Sequence, residues 1–168
     1  MDRAFLATVL AAVVLLVAGI GAGVFLGGTG AFDDRPRIDP AVTGFSAGNV
    51  TCKPNPATTP KVDTGNTSRG TFLVLRTNLS LADAETLPTN ATIRESGLAN
   101  YTLTIEPGAA AVPTCDDDET PVVFTQVFFE VPHPGEEPYG VTVTYGDDAL
   151  FRLRNDPQGL RVQNATGN

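Results

Sequence analysis

Residues 140–163 read GVTVTYGDDALFRLRNDPQGLRVQ, three short segments of alternating apolar and polar residues parted by GDD and by NDPQG. A period of two places successive side chains on opposite faces of a strand, so each segment reads as a half-buried strand. The separators hold the Gly, Asp, Asn and Pro residues that tight turns require, and they predict a meander of two hairpins. Upstream, strand-like runs occupy about 41–50, 71–81, 90–95, 99–106 and 121–131, with no window of helical period among them. Residues 121–131, PVVFTQVFFEV, are apolar at both parities, which predicts a central strand covered on each side. Residues 51–70, rich in Pro, Thr and Gly, read as a long loop. Seven or eight short strands with turns between them predict an all-β fold, a two-layer sandwich of immunoglobulin-like type.

The N-terminus is of another kind. A chain of 168 residues is long enough for one domain with its own core. Residues 4–26, AFLATVLAAVVLLVAGIGAGVFL, contain no charged side chain. As a helix they would span about 34 Å against a hydrocarbon core of about 30 Å, which predicts a signal anchor that meets the membrane through residues 4–26. A cleavable signal peptide is the alternative. The strictly apolar part, Phe5 to Val17, has the length of a cleavable core, and Thr29, Gly30 and Ala31 supply small residues for a peptidase. The expected organisation is an anchor or signal peptide over 1–31, a linker over 32–40, a sandwich domain over 41–164 and a tail over 165–168.

Charge narrows the partners. The chain carries a net charge of −8, from 19 Asp and Glu against 11 Lys and Arg. That sign disfavours nucleic acid, whose phosphates need a basic surface. Arg outnumbers Lys 9 to 2 and Asp outnumbers Glu 12 to 7, a balance similar to that of proteins from salt-loving organisms. Strong salt screens repulsion between like charges to within a few ångströms, so such a surface is tolerated there.

Asn49, Asn66, Asn78, Asn90, Asn100 and Asn164 each begin an Asn-x-Ser/Thr triplet, six of the nine asparagines. Random placement of the 25 Ser and Thr residues would give about one such triplet, so the set is read as glycosylation acceptors. Strand alternation puts Asn78 opposite Leu73, Leu75, Leu79 and Leu81, and Asn100 opposite Tyr101, Leu103 and Ile105, so both are expected on solvent-facing positions. The only cysteines, Cys52 and Cys115, are 63 positions apart, each placed in a loop beside a strand. Outside the cytoplasm they are expected to form a disulfide that staples the 51–70 loop to the loop holding Cys115.

Candidate chemistry is sparse. His133 is the single histidine and lies in the proline-bounded stretch VPHPGEEPYG, which reads as a solvated loop rather than a triad base. With Glu136 and Glu137 it would make a low-specificity metal site at most. Asp116, Asp117, Asp118 and Glu119 lack the ligand spacing and turn glycine of a dedicated calcium loop. Arg152, Arg154 and Arg161 are expected on the outer face of the last hairpin, in exposed ion pairs. No catalytic residue, metal or cofactor is assigned.

A strand running into Cys52, then TFLVLRTNLSL, ANYTLTIEP, a cysteine, FTQVFFEVP and GVTVTYG resembles a group of small haloarchaeal exported proteins with a β-sandwich domain, over residues 41–148. Members of that group often carry further cysteines that this chain lacks, so the resemblance implies a fold and an address but no metal or redox role. The stretch GGTGAFDD is similar to the signal region of TasA- and camelysin-type surface fibre proteins. Two functions follow as expectations. One is a non-catalytic, membrane-anchored surface glycoprotein with an extracellular sandwich that contacts other envelope proteins or glycans. The other is a cleaved, secreted subunit of a fibre assembled by strand pairing.

Overall fold

The structure is a computed structural model that describes residues 38–56, 59–81, 86–132 and 137–165. The anchor or signal segment, the start of the linker and the end of the tail lie outside the described residues, as do His133 and Glu136. Among the described residues the fold is all-β, two sheets built from nine strands. One sheet has four strands in the order β1 (Ala41–Lys53), β6 (Thr120–Val131), β3 (Thr71–Ser80) and β2 (Lys61–Asn66). The other has five, in the order β4 (Thr86–Gly97), β5 (Asn100–Ala111), β7 (Tyr139–Tyr145), β8 (Asp148–Asp156) and β9 (Gly159–Asn164).

The opening sequence behaves as its alternation predicts. β7, β8 and β9 pair antiparallel in succession, with Gly146 and Gly159 at positive φ in the two turns, a conformation glycine adopts without a Cβ clash. Between β5 and β7 the chain crosses to the opposite sheet as β6 and returns, so β5 and β7 become parallel neighbours. A parallel pair needs such a crossover, and here a strand of the facing layer provides it.

The two inner faces form one core. Leu73, Leu75, Leu79, Val127 and Phe129 from the four-stranded sheet meet Leu103, Ile105, Val141, Val143 and Leu153 from the five-stranded sheet, all buried. Fully burying one such side chain stabilises the fold by about 1.5–3 kcal/mol. Thr125, also buried on the inner face of β6, donates its hydroxyl to the Thr77 carbonyl at 3.3 Å, which satisfies the polar group inside the layer. Burial pushes the Tyr139 phenol up from 10.0 to about 12, its hydrogen bond with Thr71 partly opposing the shift and nearby Tyr101 adding to it. Thr71 belongs to the other sheet, so this contact ties the layers together at one end of the core.

Three sequence expectations need correction. Residues 61–66, inside the expected 51–70 loop, form β2, an edge strand paired with β3 from Lys61↔Arg76 to Asn66↔Thr71. Its single apolar residue within a polar stretch, Val62, is too weak a signal, and the backbone ladder to β3 supplies the order. Cys52 is in β1, not in a loop, opposite Pro121 of β6. Finally, β6 is central in its sheet, but its outer face is covered only in part, with Val122 buried and Gln126, Phe128 and Glu130 half-buried. Val123, Thr125, Val127, Phe129 and Val131 point inward, while Phe124 on the outer face is 45% exposed.

Two outcomes test this core. Phe129→Ala is expected to cost about 3–5 kcal/mol in urea unfolding, and Phe124→Ala less than about 1 kcal/mol, because only the first leaves a cavity. The raised Tyr139 pKa makes its contribution to stability complete below pH 10 and progressively lost as pH rises towards 12, since the unfolded phenol ionises first. The alkaline fall in melting temperature is therefore expected to be shallower in Tyr139→Phe than in the parent.

Candidate functional site

Of the residues weighed for chemistry, His133 and Glu136 lie outside the described residues. Glu137 is exposed beside the undescribed His133 and Glu136, and among the described residues no group of three His, Cys, Asp or Glu side chains is placed to hold a metal ion. Asp116–Asp118 are exposed in the β5–β6 connection, where the Glu119 amide donates to the Asp116 carbonyl at 2.9 Å and closes a turn.

Cys52 and Cys115 are joined in a disulfide, with their Cα atoms 5.7 Å apart. The bridge ties the C-terminal end of edge strand β1 to the connection that carries the chain from one sheet to the other. It thereby closes a circuit through five of the nine strands.

All six acceptor asparagines fall on strands and outside the core. Asn49 lies at the β1 bulge between Ala47 and Val50, Asn66 ends β2, and Asn164 ends β9, each exposed. Asn78 sits on the outer face of β3 as expected, but half-buried, because Phe124 stands directly opposite on β6. Asn90 and Asn100 are exposed on the outer face of the five-stranded sheet. Their amides already donate, Asn90 Nδ2 to Glu106 Oε2 at 3.2 Å and Asn100 Nδ2 to the Leu98 carbonyl at 2.8 Å.

The outer faces of the two sheets differ in chemistry. The four-stranded sheet presents aromatic residues, Phe72 and Phe128 with ring centroids 6.3 Å apart and Phe124 further along β6. The five-stranded sheet presents hydroxyls and guanidinium groups. Registered pairing lines up Arg94, Thr102, Thr142, Arg152 and Gln163 in one row across all five strands. A second row holds Thr92, Thr104 and Thr144, with the Thr144 hydroxyl donating to Thr104 Oγ1 at 3.2 Å. A third sets Arg154 opposite Arg161, beyond Gly140 and Asn100.

The third row frames a groove of about 270 Å³ lined by Asn100, Gly140, Arg152, Arg154 and Gln163, with Leu98 of the β4–β5 turn, 93% exposed, at its lip. A Cβ at Gly140 would stand 2.8 Å from Asn100 Oδ1, so any larger residue there would displace the Asn100 side chain. Of the arginines expected in ion pairs, Arg161 does pair, with Asp156 at 3.9 Å, and it also donates to Gln158. Arg152, Arg154 and Arg94 make no ion pair among the described residues. Sequence reading placed Arg152, Arg154 and Arg161 on one hairpin but missed Arg94 and the threonine rows, which only cross-strand register brings to the same face.

No family model, curated protein or solved structure matches the chain.

A bridge closing a 63-residue separation is expected to stabilise the folded state by about 4 kcal/mol on the chain-entropy estimate. Reduction should therefore lower the melting temperature of the protein clearly. An unchanged midpoint would mean that the denatured chain is already constrained without the bridge.

Proposed function

We propose that the chain is a non-catalytic surface glycoprotein: residues 4–26 anchor it in the membrane, and the sandwich, of immunoglobulin-like type, stands outside the cell. The observation that carries the reading is the placement of the acceptor triplets. Six asparagines spread over β1, β2, β3, β4, β5 and β9 all lie outside the buried core: Asn66 and Asn164, opposite the inward-facing Thr71 and Phe151, are exposed because they end edge strands, and the other four lie at a bulge or on outer faces. Strand composition alone would place polar residues outward, but it does not explain a count of triplets several times the random expectation.

The disulfide supports the same address, since bridges of this kind persist in oxidising compartments. Crossings between the layers at β3–β4 and at β5–β6–β7 support the immunoglobulin-like reading of the sandwich. A sandwich domain in that place serves structural or binding roles towards other envelope proteins or glycans. The edges favour this over fibre assembly by strand pairing. Of the four edge strands, β2 and β9 are six residues each and carry Lys61, Asp63 and Arg161, while the longer β1 and β4 are interrupted by bulges, and short, charged or bulged edges resist the addition of another strand.

Mass spectrometry of the protein from its native membranes tests the reading. The expected result is a chain that retains residues 1–31, carries glycan mass on some of the six asparagines and lacks two hydrogens at Cys52 and Cys115. A glycan-free chain beginning at Phe32 would sink the anchored glycoprotein and favour the secreted one.

A further inference from the structure

We propose that the outer face of the five-stranded sheet is a docking surface for a carboxylated polysaccharide, a chain of uronic acid residues laid across the strands. The first argument is charge. In a chain of net charge −8, four of the six described arginines, Arg94, Arg152, Arg154 and Arg161, occupy this one face. Glu106, at its far end, is held by Asn90.

The second argument is a local cost. Arg154 lies directly opposite Arg161, with Arg152 two residues along the same strand, and like charges opposite one another on neighbouring strands are destabilising. Arg161 is drawn aside by Asp156 and Gln158, which leaves Arg152 and Arg154 beside the groove with no carboxylate among the described residues. A carboxylate bound there would meet a guanidinium fork, the geometry that arginine recognises in a bidentate fashion.

The third argument selects the kind of polyanion. A single-stranded nucleic acid is held by aromatic side chains on which its bases stack, and a protein partner by a buried aromatic or aliphatic anchor. No aromatic side chain stands in the rows of this face, and the exposed aliphatic Leu98 lies in the β4–β5 turn at the lip rather than in a pocket. The face offers threonine hydroxyls, the amides of Asn100 and Gln163 and the bare backbone at Gly140, groups that exchange hydrogen bonds with sugar hydroxyls. Five strands span about 19 Å from centre to centre, and rows two residues apart are about 7 Å apart, so the surface is a flat strip longer than one sugar ring. The groove over Gly140, about 270 Å³, takes one ring between Arg154 and Asn100. A glycan on Asn100 would fill that groove, so this acceptor is left bare.

The extracellular address proposed above is where such a polymer would be met, but a binding measurement on purified protein does not depend on it. The test is retention of the full chain, in detergent, on immobilised polygalacturonate, with dextran as the uncharged polymer, at about 0.15 M salt, where surface charges still act over about 8 Å. Binding to polygalacturonate and not to dextran is expected, weakened about tenfold or more in R152Q/R154Q. Arg69→Gln, on the opposite sheet and paired with Glu130, is expected to leave it unchanged. Both arginines of the double variant are exposed, and an unchanged melting temperature would show that the variant is folded. Equal binding to both polymers, a double variant that binds like the parent, tighter binding to single-stranded DNA, or glycan mass on the peptide containing Asn100 would each overturn the proposal.

Discussion

The insertion of β6 between β1 and β3 is the contact on which the rest of the molecule depends. Without it the four-stranded sheet falls into a lone strand and a hairpin, and two-stranded elements are marginal in water. The same insertion fixes the other layer. Because the chain leaves the five-stranded sheet after β5, contributes β6 to the opposite one and returns as β7, β5 and β7 must run parallel, and the meander β7–β9 then extends outward from β5. The disulfide is placed to guard this step, since Cys115 lies in the segment leading into β6 and Cys52 on its neighbour β1. Loop closure is the entropic cost of a non-local strand pairing, and a covalent bridge across the loop removes part of it.

Much of this fold is legible in the sequence because one rule, alternation with a period of two, governs most strands. It places Leu73, Leu75 and Leu79 inward and Asn78 outward, and it gives the last three strands their register. The rule fails where its signal vanishes. β2 has only Val62 to mark an inner face, and β6 is apolar at both parities, so its pattern cannot say that the outer side, with Phe124, meets solvent. The parallel pairing of β5 with β7 leaves no mark in either strand, because it follows from where an intervening strand goes.

The polar surface of the five-stranded sheet was half-legible for the same reason. Alternation within residues 140–163 puts Arg152 and Arg154 on one face, a local inference that pairing with β9 extends to Arg161. Arg94 and the threonines of β4 and β5 join them through the β5–β7 pairing, which brings together distant parts of the chain such as Thr102 and Thr142, and only register reveals that they share the surface.

Inner faces explain why the sandwich folds, but they are chemically alike in the two sheets, so what distinguishes the layers must be sought outside. A threonine is a sound residue for an exposed strand, because its β-branch fits the pleat and its hydroxyl meets water, and a solvent-facing sheet accounts for the threonine rows with no ligand at all. The same account does not extend to the arginines. Of the acidic residues described, Asp63 and Glu130 stand on strands of the other sheet, and those in outer-face register with Arg94, Arg152 and Arg154 are Glu106, held by Asn90, and Asp156, paired with Arg161. Solubility alone would be served as well by mixing the signs, and folding would be served better by a carboxylate opposite Arg154 than by Arg161. Setting Arg94, Arg152, Arg154 and Arg161 on one face of an acidic protein works against both, and that cost is the physical ground of the docking surface proposed above.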